Sequence, residues 1–186
     1  MGENNHVQNL RIYKNPDNFR GRSKLIVQLW WIVYGVFFKP SPQFFYGWRR
    51  FLLRAFGAKI GKKVIIRSSA QFTYPWKVEI GDYSWIGDEV VLYSLGVIKI
   101  GSNAVISQRS YLCTGSHDYL NPAFSIYEKP ITVGDECWIA TDVFVSPGLN
   151  IGKGAVVGAR STVINDIEEY SVNVGSPSKF IKSRRV

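Results

Sequence analysis

Cysteine and histidine are both scarce in this sequence, which has two of each among 186 residues. Cys113 and Cys137 form no CxxC motif and are too few for a disulfide framework. The histidines are His6, in a polar N-terminal tail, and His117. Two histidines cannot supply a zinc site that needs three. We therefore expect neither a disulfide framework nor a metal requirement.

Acidic residues are nearly absent from the first third of the chain. Residues 1–63 contain 12 Lys and Arg against 2 Asp and Glu, which gives that segment a net charge of +10. The remaining 123 residues contain 11 basic and 12 acidic residues, a net charge of −1. The whole positive excess therefore belongs to the N-terminal segment, and attraction to an anionic partner would come from there.

A hydrophobic run long enough to cross a bilayer is also missing. Residues 25–38, LIVQLWWIVYGVFF, are apolar on every side but number 14, and they lie between Lys24 and Lys39. A spanning helix needs about 20 residues. The first 24 residues are polar, contain Pro16 and do not have the pattern of a cleavable signal peptide. A cytoplasmic location is the expectation.

A period of six residues runs through two thirds of the chain. An aliphatic residue, often followed by Gly or another small residue, recurs at 133, 139, 145, 151, 157 and 163 without a slip. The same spacing appears upstream at 60, 66 and 72, at 80, 86 and 92, and at 100, 106 and 112. Three repeats make one triangular coil in which the aliphatic side chains stack inward. The predicted fold is all-β, a left-handed parallel β-helix preceded by a helical segment.

Breaks in the register locate the insertions. The steps from 60 to 80 and from 80 to 100 are 20 residues instead of 18, and the step from 100 to 133 is 33. We predict a basic, aromatic-rich helical appendage over 1–59 and a β-helix over 60–177 that carries an inserted loop at 113–132. Residues 178–186 are predicted to be a basic C-terminal tail or short helix. Long loops on rigid solenoids often carry function.

The N-terminal appendage has two interpretations. In residues 48–56, an apolar face of Trp48, Phe51, Leu52, Ala55 and Phe56 is predicted opposite three arginines, in a helix ended by Gly57. The arginines are Arg49, Arg50 and Arg54. Residues 25–56 could cover the open end of the solenoid or lie on an anionic membrane surface. No nucleic-acid recognition motif accompanies these arginines, so nucleic acid is not expected as a partner.

The predicted loop contains the chemistry. His117 is the sole imidazole in the repeat region and could take a proton from an attacking hydroxyl or amine near neutral pH. Asp118 follows it directly, but adjacent residues of an extended chain point in opposite directions. A backbone carbonyl or a distant carboxylate is therefore an equally good candidate for orienting the ring. Cys113 falls in the small-residue position of its repeat, which favours a packing role.

Residues 60–182 resemble the hexapeptide-repeat O-acetyltransferases, a group that includes galactoside, maltose and nodulation-factor acetyltransferases. The resemblance rests on the run from Trp138 to Gly148 and on the Gly175–Lys179 segment, GSPSK. The whole chain, with FKPSPQ, WRRFLLRAFGAKIG and TGSHDY, is similar to the colanic acid biosynthesis acetyltransferases. The resemblance implies acetyl transfer from acetyl-CoA to a sugar hydroxyl in exopolysaccharide biosynthesis. It also implies a homotrimer with its sites between subunits.

By matching motif positions, the resemblance assigns His117 as general base and gives the inserted loop, with Ser116, Asp118 and Tyr119, to the acceptor. The residues that it assigns to acetyl-CoA are Trp138, Thr141, Ala159, Ile164, Asn165, Lys179 and Lys182. The two lysines fall where relatives have arginines for the CoA phosphates, so a point charge replaces a bidentate guanidinium. N-acetylation of an amino sugar and a non-catalytic β-solenoid scaffold remain the alternatives.

Overall fold

The computed structural model describes residues 7–184 as a triangular solenoid of five coils and part of a sixth, with helices at its N-terminal end. Coils 1 to 3 contain β1 (Lys59–Ile60), β2 (Ile65–Ile66), β3 (Gln71–Phe72), β4 (Val78–Ile80), β5 (Trp85–Ile86), β6 (Val91–Tyr93), β7 (Ile98–Ile100), β8 (Val105–Ile106) and β9 (Tyr111–Cys113). A hairpin of β10 (Gly115–His117) and β11 (Ile126–Glu128) follows. The later strands are β12 (Ile131–Val133), β13 (Trp138–Ile139), β14 (Phe144–Val145), β15 (Asn150–Ile151), β16 (Val156–Val157), β17 (Thr162–Val163), β18 (Ser171–Val174) and β19 (Lys179–Ser183).

The strands form three parallel sheets, one on each side of the triangle. The first sheet has the order β1-β4-β7-β12-β15, the second β19-β18-β16-β13-β8-β5-β2 and the third β17-β14-β9-β6-β3. Each strand pairs with its counterparts one coil before and after, as in Ile80 beside Ile60 and Ile100. The antiparallel β19 is the exception in this stack. This architecture confirms the predicted left-handed β-helix.

The core is a column of the repeat's aliphatic residues. All fifteen that the six-residue period marks upstream of residue 164, including Phe72 on its weaker stretch, are buried, with exposed fractions of 7% or less. The glycines after them lie where successive coils approach closely. A Cβ atom on Gly81 would be 2.5 Å from the backbone nitrogen of Ser102, closer than atoms tolerate. The six-residue period therefore has two causes: the aliphatic side chains point into the core, and the glycines after them allow successive coils to approach closely.

The register breaks are local structures on an otherwise continuous stack. The extra residues of coil 1 form a 3-10 turn at Pro75–Lys77. The large break is the β10–β11 hairpin. After it, Val133 of β12 pairs with Ile100 of β7, so the parallel stack continues in register. The expectation of a tail or short helix after residue 178 is wrong. Lys179–Ser183 form β19 against β18, which covers the last strand of the second sheet with an antiparallel neighbour.

In the described residues, a 3-10 helix at Leu10–Ile12 and two α-helices precede the solenoid. Helix α1 covers Lys24–Val33 and continues through a π-helical turn at Tyr34–Phe38, and α2 covers Tyr46–Ala55. Ser23 caps α1, because its hydroxyl accepts a hydrogen bond from the amide of Ile26 at 3.4 Å. Gly57 follows α2 with φ +92°, the conformation that ends helices. Within residues 7–184 neither helix is long and apolar enough to cross a membrane.

The first coil exposes carbonyl groups that have no preceding coil to pair with. Between coils 1 and 2, amides of coil 1 donate to five coil-2 carbonyls: those of Ile80, Ser84, Ile86, Val90 and Leu92. The equivalent carbonyls of coil 1 lie 20 residues earlier, at Ile60, Val64, Ile66, Ala70 and Phe72. Unpaired backbone carbonyl groups at a sheet edge cost free energy when they are buried, and they favour pairing with strands of other chains when they are exposed.

Side chains of the helices donate to four of these five carbonyls. The distances from donor nitrogen to carbonyl oxygen are 2.7 Å for Arg54 to Ile60, 2.8 Å for Arg50 to Val64, 2.6 Å for Arg49 to Ile66 and 2.8 Å for Trp30 to Phe72. Three guanidinium groups and one indole thus take the place of a missing coil. Helices α1 and α2 cap the solenoid, and several of the basic residues of the N-terminal segment are part of the cap.

The predicted faces of α2 are partly wrong. Arg49, expected on the polar face, is completely buried, whereas Trp48 and Phe51 on the predicted apolar face are 39% and 58% exposed. The physical reason is the carbonyl row, which requires donors on the side of α2 that packs on coil 1. Burial lowers the pKa of Arg49, but its guanidinium donates four hydrogen bonds, to the carbonyl oxygens of Ile66, Pro42 and Gln43 and to the hydroxyl of Ser41.

Candidate active site

The large insertion holds its histidine on a two-stranded hairpin. Strand β10 leaves the end of β9 and pairs antiparallel with β11, so that His117 is opposite Ile126 and Ser116 opposite Tyr127. The amide of Asp118 donates to the carbonyl of Ser125 at 2.8 Å, which extends the ladder beyond the strands. A hairpin fixes the backbone on both sides of His117 better than a free loop would.

The proton on the His117 ring is placed by a backbone carbonyl. Nδ1 lies 2.7 Å from the carbonyl oxygen of Phe124, and a carbonyl can only accept, so Nδ1 carries the hydrogen in the neutral ring. Nε2 is then the nitrogen with the free lone pair, which is the requirement for a general base. The ring of Phe124 stacks on the imidazole, with centroids 4.3 Å apart and planes 7° apart. Phe124 itself has φ +50°, a left-handed conformation that turns its carbonyl toward the ring.

The residues next to His117 in the sequence do not contact its imidazole ring in ways that would orient it. The Asp118 carboxylate accepts a hydrogen bond from the amide of Leu120 at 3.0 Å, so it shapes the turn and does not orient the imidazole. Ser116 is half-buried, and its side chain points to the opposite face of β10 from His117. Tyr119 is 75% exposed beside the turn. Of the three expected acceptor residues, Asp118 and Tyr119 are exposed.

An aromatic group near His117 comes from a part of the chain that the sequence did not point to. The ring of Tyr13 lies 6.2 Å from the imidazole, and the amide of Asn9 donates to the carbonyl of Pro122 at 2.7 Å. Residues 9–13 thus lie against the hairpin. Tyr93 of β6 and Tyr111 of β9, the strand before the hairpin, have ring centroids 5.9 Å apart. Burial raises the pKa of Tyr111 to about 12, so its phenol stays neutral.

The two cysteines are not poised as nucleophiles. Burial raises the pKa of the Cys113 thiol, and its Sγ lies 3.1 Å from the carbonyl oxygen of Gly115, to which the thiol donates. Burial likewise raises the pKa of Cys137 in the core. In residues 7–184 no group of three or more His, Cys, Asp or Glu side chains is arranged to hold a metal ion. His6 lies outside the described residues.

Three of the residues expected at acetyl-CoA lie near one corner of the solenoid. Thr141 follows β13 and Ala159 follows β16, at the same corner one coil apart, and the amide of Arg160 donates to the carbonyl of Thr141 at 2.9 Å. Trp138 begins β13 and is 49% exposed, with its indole nitrogen 3.0 Å from the hydroxyl of Ser107. The corner joins the second sheet to the third.

The remaining expected cofactor residues divide between two places. In the antiparallel register, Lys182 is opposite Val172 and Lys179 opposite Val174, and Val174 contacts Gly158 beside Ala159. The lysines therefore lie on the same side of the molecule as Ala159. Ile164 and Asn165 follow β17 and are exposed at the other end of the third sheet. The structure brings five of the seven residues to one region and leaves two apart.

His117 and the Thr141 corner lie at opposite ends of the third sheet. Thr141 precedes β14, whereas the hairpin leaves β9 at Cys113, next to the far end of β14. From residue 141 to 147 the extended chain covers about 20 Å at about 3.3 Å per residue. Within residues 7–184, the ring contacts and hydrogen bond of His117 involve Tyr13 and Phe124, not the corner residues. The candidate base and the candidate cofactor corner are thus separate in one chain.

Comparison with known proteins agrees with this architecture. The chain is 54% identical over 178 residues to the colanic acid biosynthesis acetyltransferase WcaF of Escherichia coli (strain K12), covering 96% of this chain and 98% of that protein. It is 28% identical over 137 residues to galactoside O-acetyltransferase of the same organism, covering 72% and 68%. No family model matches the chain.

Among solved structures, the hexapeptide-repeat acetyltransferase VCA0836 of Vibrio cholerae, in complex with acetyl-CoA, superimposes with a TM-score of 0.78. It is 23% identical and covers 88% of this chain and 89% of that one, a likeness of fold. The repeat, the hairpin and the extensive identity together define the class: the chain belongs to the hexapeptide-repeat acetyltransferases, in the family of colanic acid biosynthesis acetyltransferase WcaF.

Proposed function

We propose that this protein transfers the acetyl group of acetyl-CoA to a sugar hydroxyl, with His117 as general base. The observation that carries the proposal is the 2.7 Å contact of Nδ1 with the Phe124 carbonyl, which leaves Nε2 free to accept a proton. Nε2 takes the hydroxyl proton as the sugar oxygen bonds to the thioester carbon. The carbon–sulfur bond then breaks, the proton passes from His117 to the CoA thiolate, and acetylated sugar and CoA leave. No covalent enzyme intermediate is required.

Acetyl-CoA is proposed to lie along the corner formed by Trp138, Thr141 and Ala159. The side chains of Thr141 and Ala159 are short, and Ala159 is exposed, so the corner is open to solvent beside Trp138. Lys179 and Lys182, both exposed on β19, would contact the phosphates as point charges. Ile164 and Asn165 are proposed to contact the cofactor from the far end of the third sheet. The identity to a colanic acid biosynthesis enzyme supports an exopolysaccharide saccharide as acceptor. We propose that the modification takes place in the cytoplasm.

The separation of His117 from the corner supports a homotrimer with sites between subunits. The second sheet presents Trp85, Val105 and Trp138 in register on its outer side, and the two tryptophans are 53% and 49% exposed in the single chain. An outward apolar row of this kind is suited to an interface between copies. In such an assembly, the hairpin of one copy meets the corner of the next, and each site is made by two chains.

Thiol release from acetyl-CoA tests the activity directly. With a panel of mono- and oligosaccharides, the wild type should release thiol in an acceptor-dependent way, and His117→Ala should be slower by about 10²–10⁴-fold. Tyr83→Ala, at an exposed solenoid corner outside the hairpin and outside the acetyl-CoA corner, is the control and should keep most of the activity. Equal rates for His117→Ala and wild type would remove His117 from the mechanism. If only amino sugars are acetylated and the product is an amide, the enzyme is an N-acetyltransferase and the proposed O-transfer is wrong.

Subunit mixing tests where the site lies. His117→Ala and Ala159→Trp chains would each be inactive alone, the first without the base and the second with a blocked corner. If each site takes its histidine and its corner from different copies, co-assembled chains regain about a quarter of the wild-type rate. If one chain supplied both parts, the mixture would stay as inactive as its components. A monomer by light scattering would also refute the trimer.

A further inference from the structure

The helical cap leaves a large apolar surface uncovered. Although α1 buries Val27 and Trp30 on the solenoid, its opposite side is open, as is one side of α2. We call the following nine exposed side chains the cap patch: Leu25, Leu29, Ile32, Val36, Phe37, Phe44, Phe45, Trp48 and Phe51, which are 39–78% exposed. Capping the solenoid accounts for the buried side of the helices but not for the cap patch.

The cap patch is continuous. Leu25, Leu29, Ile32 and Val36 follow one another at helical spacing along one face of α1 and the turn after it. Val36, Phe37, Phe45 and Trp48 line a common hollow, and the Trp48 indole donates to the carbonyl of Phe37 at 3.0 Å. Trp48 also stacks on Phe51, with centroids 5.6 Å apart. The two helices thus present one surface.

The size of the cap patch is unusual for an uncovered surface. At roughly half exposure, nine large apolar side chains leave on the order of 900 Å² in contact with water. The largest patch of a monomeric soluble protein is about 300–600 Å² and is itself often functional. A surface of this size indicates a partner.

Charge identifies the kind of partner. Between residues 18 and 78 the sequence has 12 Lys and Arg and no Asp or Glu. Lys24 and Lys39 stand at the two ends of the segment that carries the α1 part of the cap patch, and both are exposed, as is Arg22. A second copy docking here would bring two surfaces of like charge together without a carboxylate from either segment, which is unfavourable. An anionic surface would match both the apolar residues and the cations.

We propose that the cap patch docks this protein on an anionic phospholipid membrane. Helix α1 has ten residues and is about 15 Å long, so with α2 it lies within the interface and does not span it. Leucine, isoleucine and phenylalanine side chains enter the boundary between head groups and acyl chains, while Lys24, Lys39 and Arg22 contact lipid phosphates. The docking is independent of acetyl transfer, because the cap patch and the proposed catalytic groups share no residue.

Vesicle flotation with the full-length protein tests the proposal. Vesicles of phosphatidylcholine with phosphatidylglycerol should carry the protein to the top of the gradient, and phosphatidylcholine alone should carry much less. Ile32→Glu, at a side chain 59% exposed, should lower the partition coefficient by at least ten-fold. Tyr83→Glu, at a solenoid corner and 47% exposed, makes the same charge change away from the cap patch and should bind as the wild type does. Lys24→Gln with Lys39→Gln should weaken binding to anionic vesicles in particular.

Circular dichroism confirms folding of each variant, and light scattering reports its mass. No flotation of the wild type with anionic vesicles at low salt would overturn the proposal. So would equal flotation of Ile32→Glu and Tyr83→Glu. If Ile32→Glu instead lowers the molecular mass and leaves vesicle binding unchanged, the cap patch is a contact between copies and the proposal is wrong. Thiol release with a soluble acceptor, measured in parallel, separates this outcome from a failure of the enzymatic proposal.

Discussion

Replacing Arg49 with alanine should lower the free energy of unfolding by about 3 kcal/mol, a value that combines two terms. The Arg49 side chain is completely buried and donates to the carbonyl of Ile66 at 2.6 Å and to the hydroxyl of Ser41 at 2.8 Å. Ile66 is also buried, so its carbonyl would lose its partner at a cost of about 1–3 kcal/mol. Truncating a long buried side chain adds about 2 kcal/mol or more for the void.

Part of this cost is offset. The variant no longer desolvates a cation, which is the effect that lowers the pKa of Arg49 in the folded state. The carbonyls of Pro42 and Gln43, which the same guanidinium also contacts, belong to exposed residues that water can reach. These two considerations reduce the sum of the two terms to about 3 kcal/mol.

Urea unfolding at one fixed protein concentration measures the effect, because assembly would otherwise add a concentration-dependent contribution. Arg49→Met retains most of the packing but none of the donors, so it isolates the loss of hydrogen bonds. Arg160→Ala, at a side chain 84% exposed, is the control and should change stability by less than about 0.5 kcal/mol. If Arg49→Met and Arg49→Ala both matched this control, the row of capped carbonyls would contribute nothing to stability, and the reasoning would be refuted.

Three further predictions follow from close contacts. Gly81→Ala should destabilise the protein by about 1–3 kcal/mol in urea, because its Cβ would meet the Ser102 backbone at 2.5 Å, whereas Gly35→Ala, with no atom within 4 Å, should be neutral or slightly stabilising. Phe124→Ala keeps the backbone carbonyl but removes the ring that stacks on His117, so kcat should fall about 2–12-fold with little change in KM. An unchanged kcat would show that the Phe124 ring does not position His117. Cys113→Ala should retain activity within a few-fold, because burial raises the pKa of that thiol and so disfavours the thiolate, and a loss like that of His117→Ala would contradict this.

The helical cap is only partly predictable from the sequence. The apolar and basic residues of 48–56 follow a helical pattern, and the helix and its end at Gly57 are present. The pattern assumes that arginine faces water, yet Arg49 is buried against coil 1. Arg49 is buried because backbone carbonyl groups at the open end of the solenoid need hydrogen-bond donors. The direction of these carbonyl groups cannot be seen in the spacing of apolar and basic side chains.

The candidate site shows the same division. His117 is predictable because it is the sole imidazole of the repeat region and lies in the long insertion. Its orienting partner, the Phe124 carbonyl, is not, because a backbone oxygen carries no signature in a sequence and Phe124 adopts its left-handed conformation only within the folded hairpin. Tyr13 was missed as well, since it reaches the hairpin from more than 100 positions away through contacts such as that of Asn9 with Pro122.

The solenoid, its coil boundaries, the place of the insertion and the candidate base are all predictable from the sequence. A six-residue period repeats one local interaction many times, so each inward aliphatic residue is marked by its own position. Three features become visible only in the folded chain: which donors cap the first coil, which nitrogen of His117 is free, and the separation of His117 from the cofactor corner. These depend on the directions of backbone groups and on contacts between distant segments, which exist only once the chain has folded.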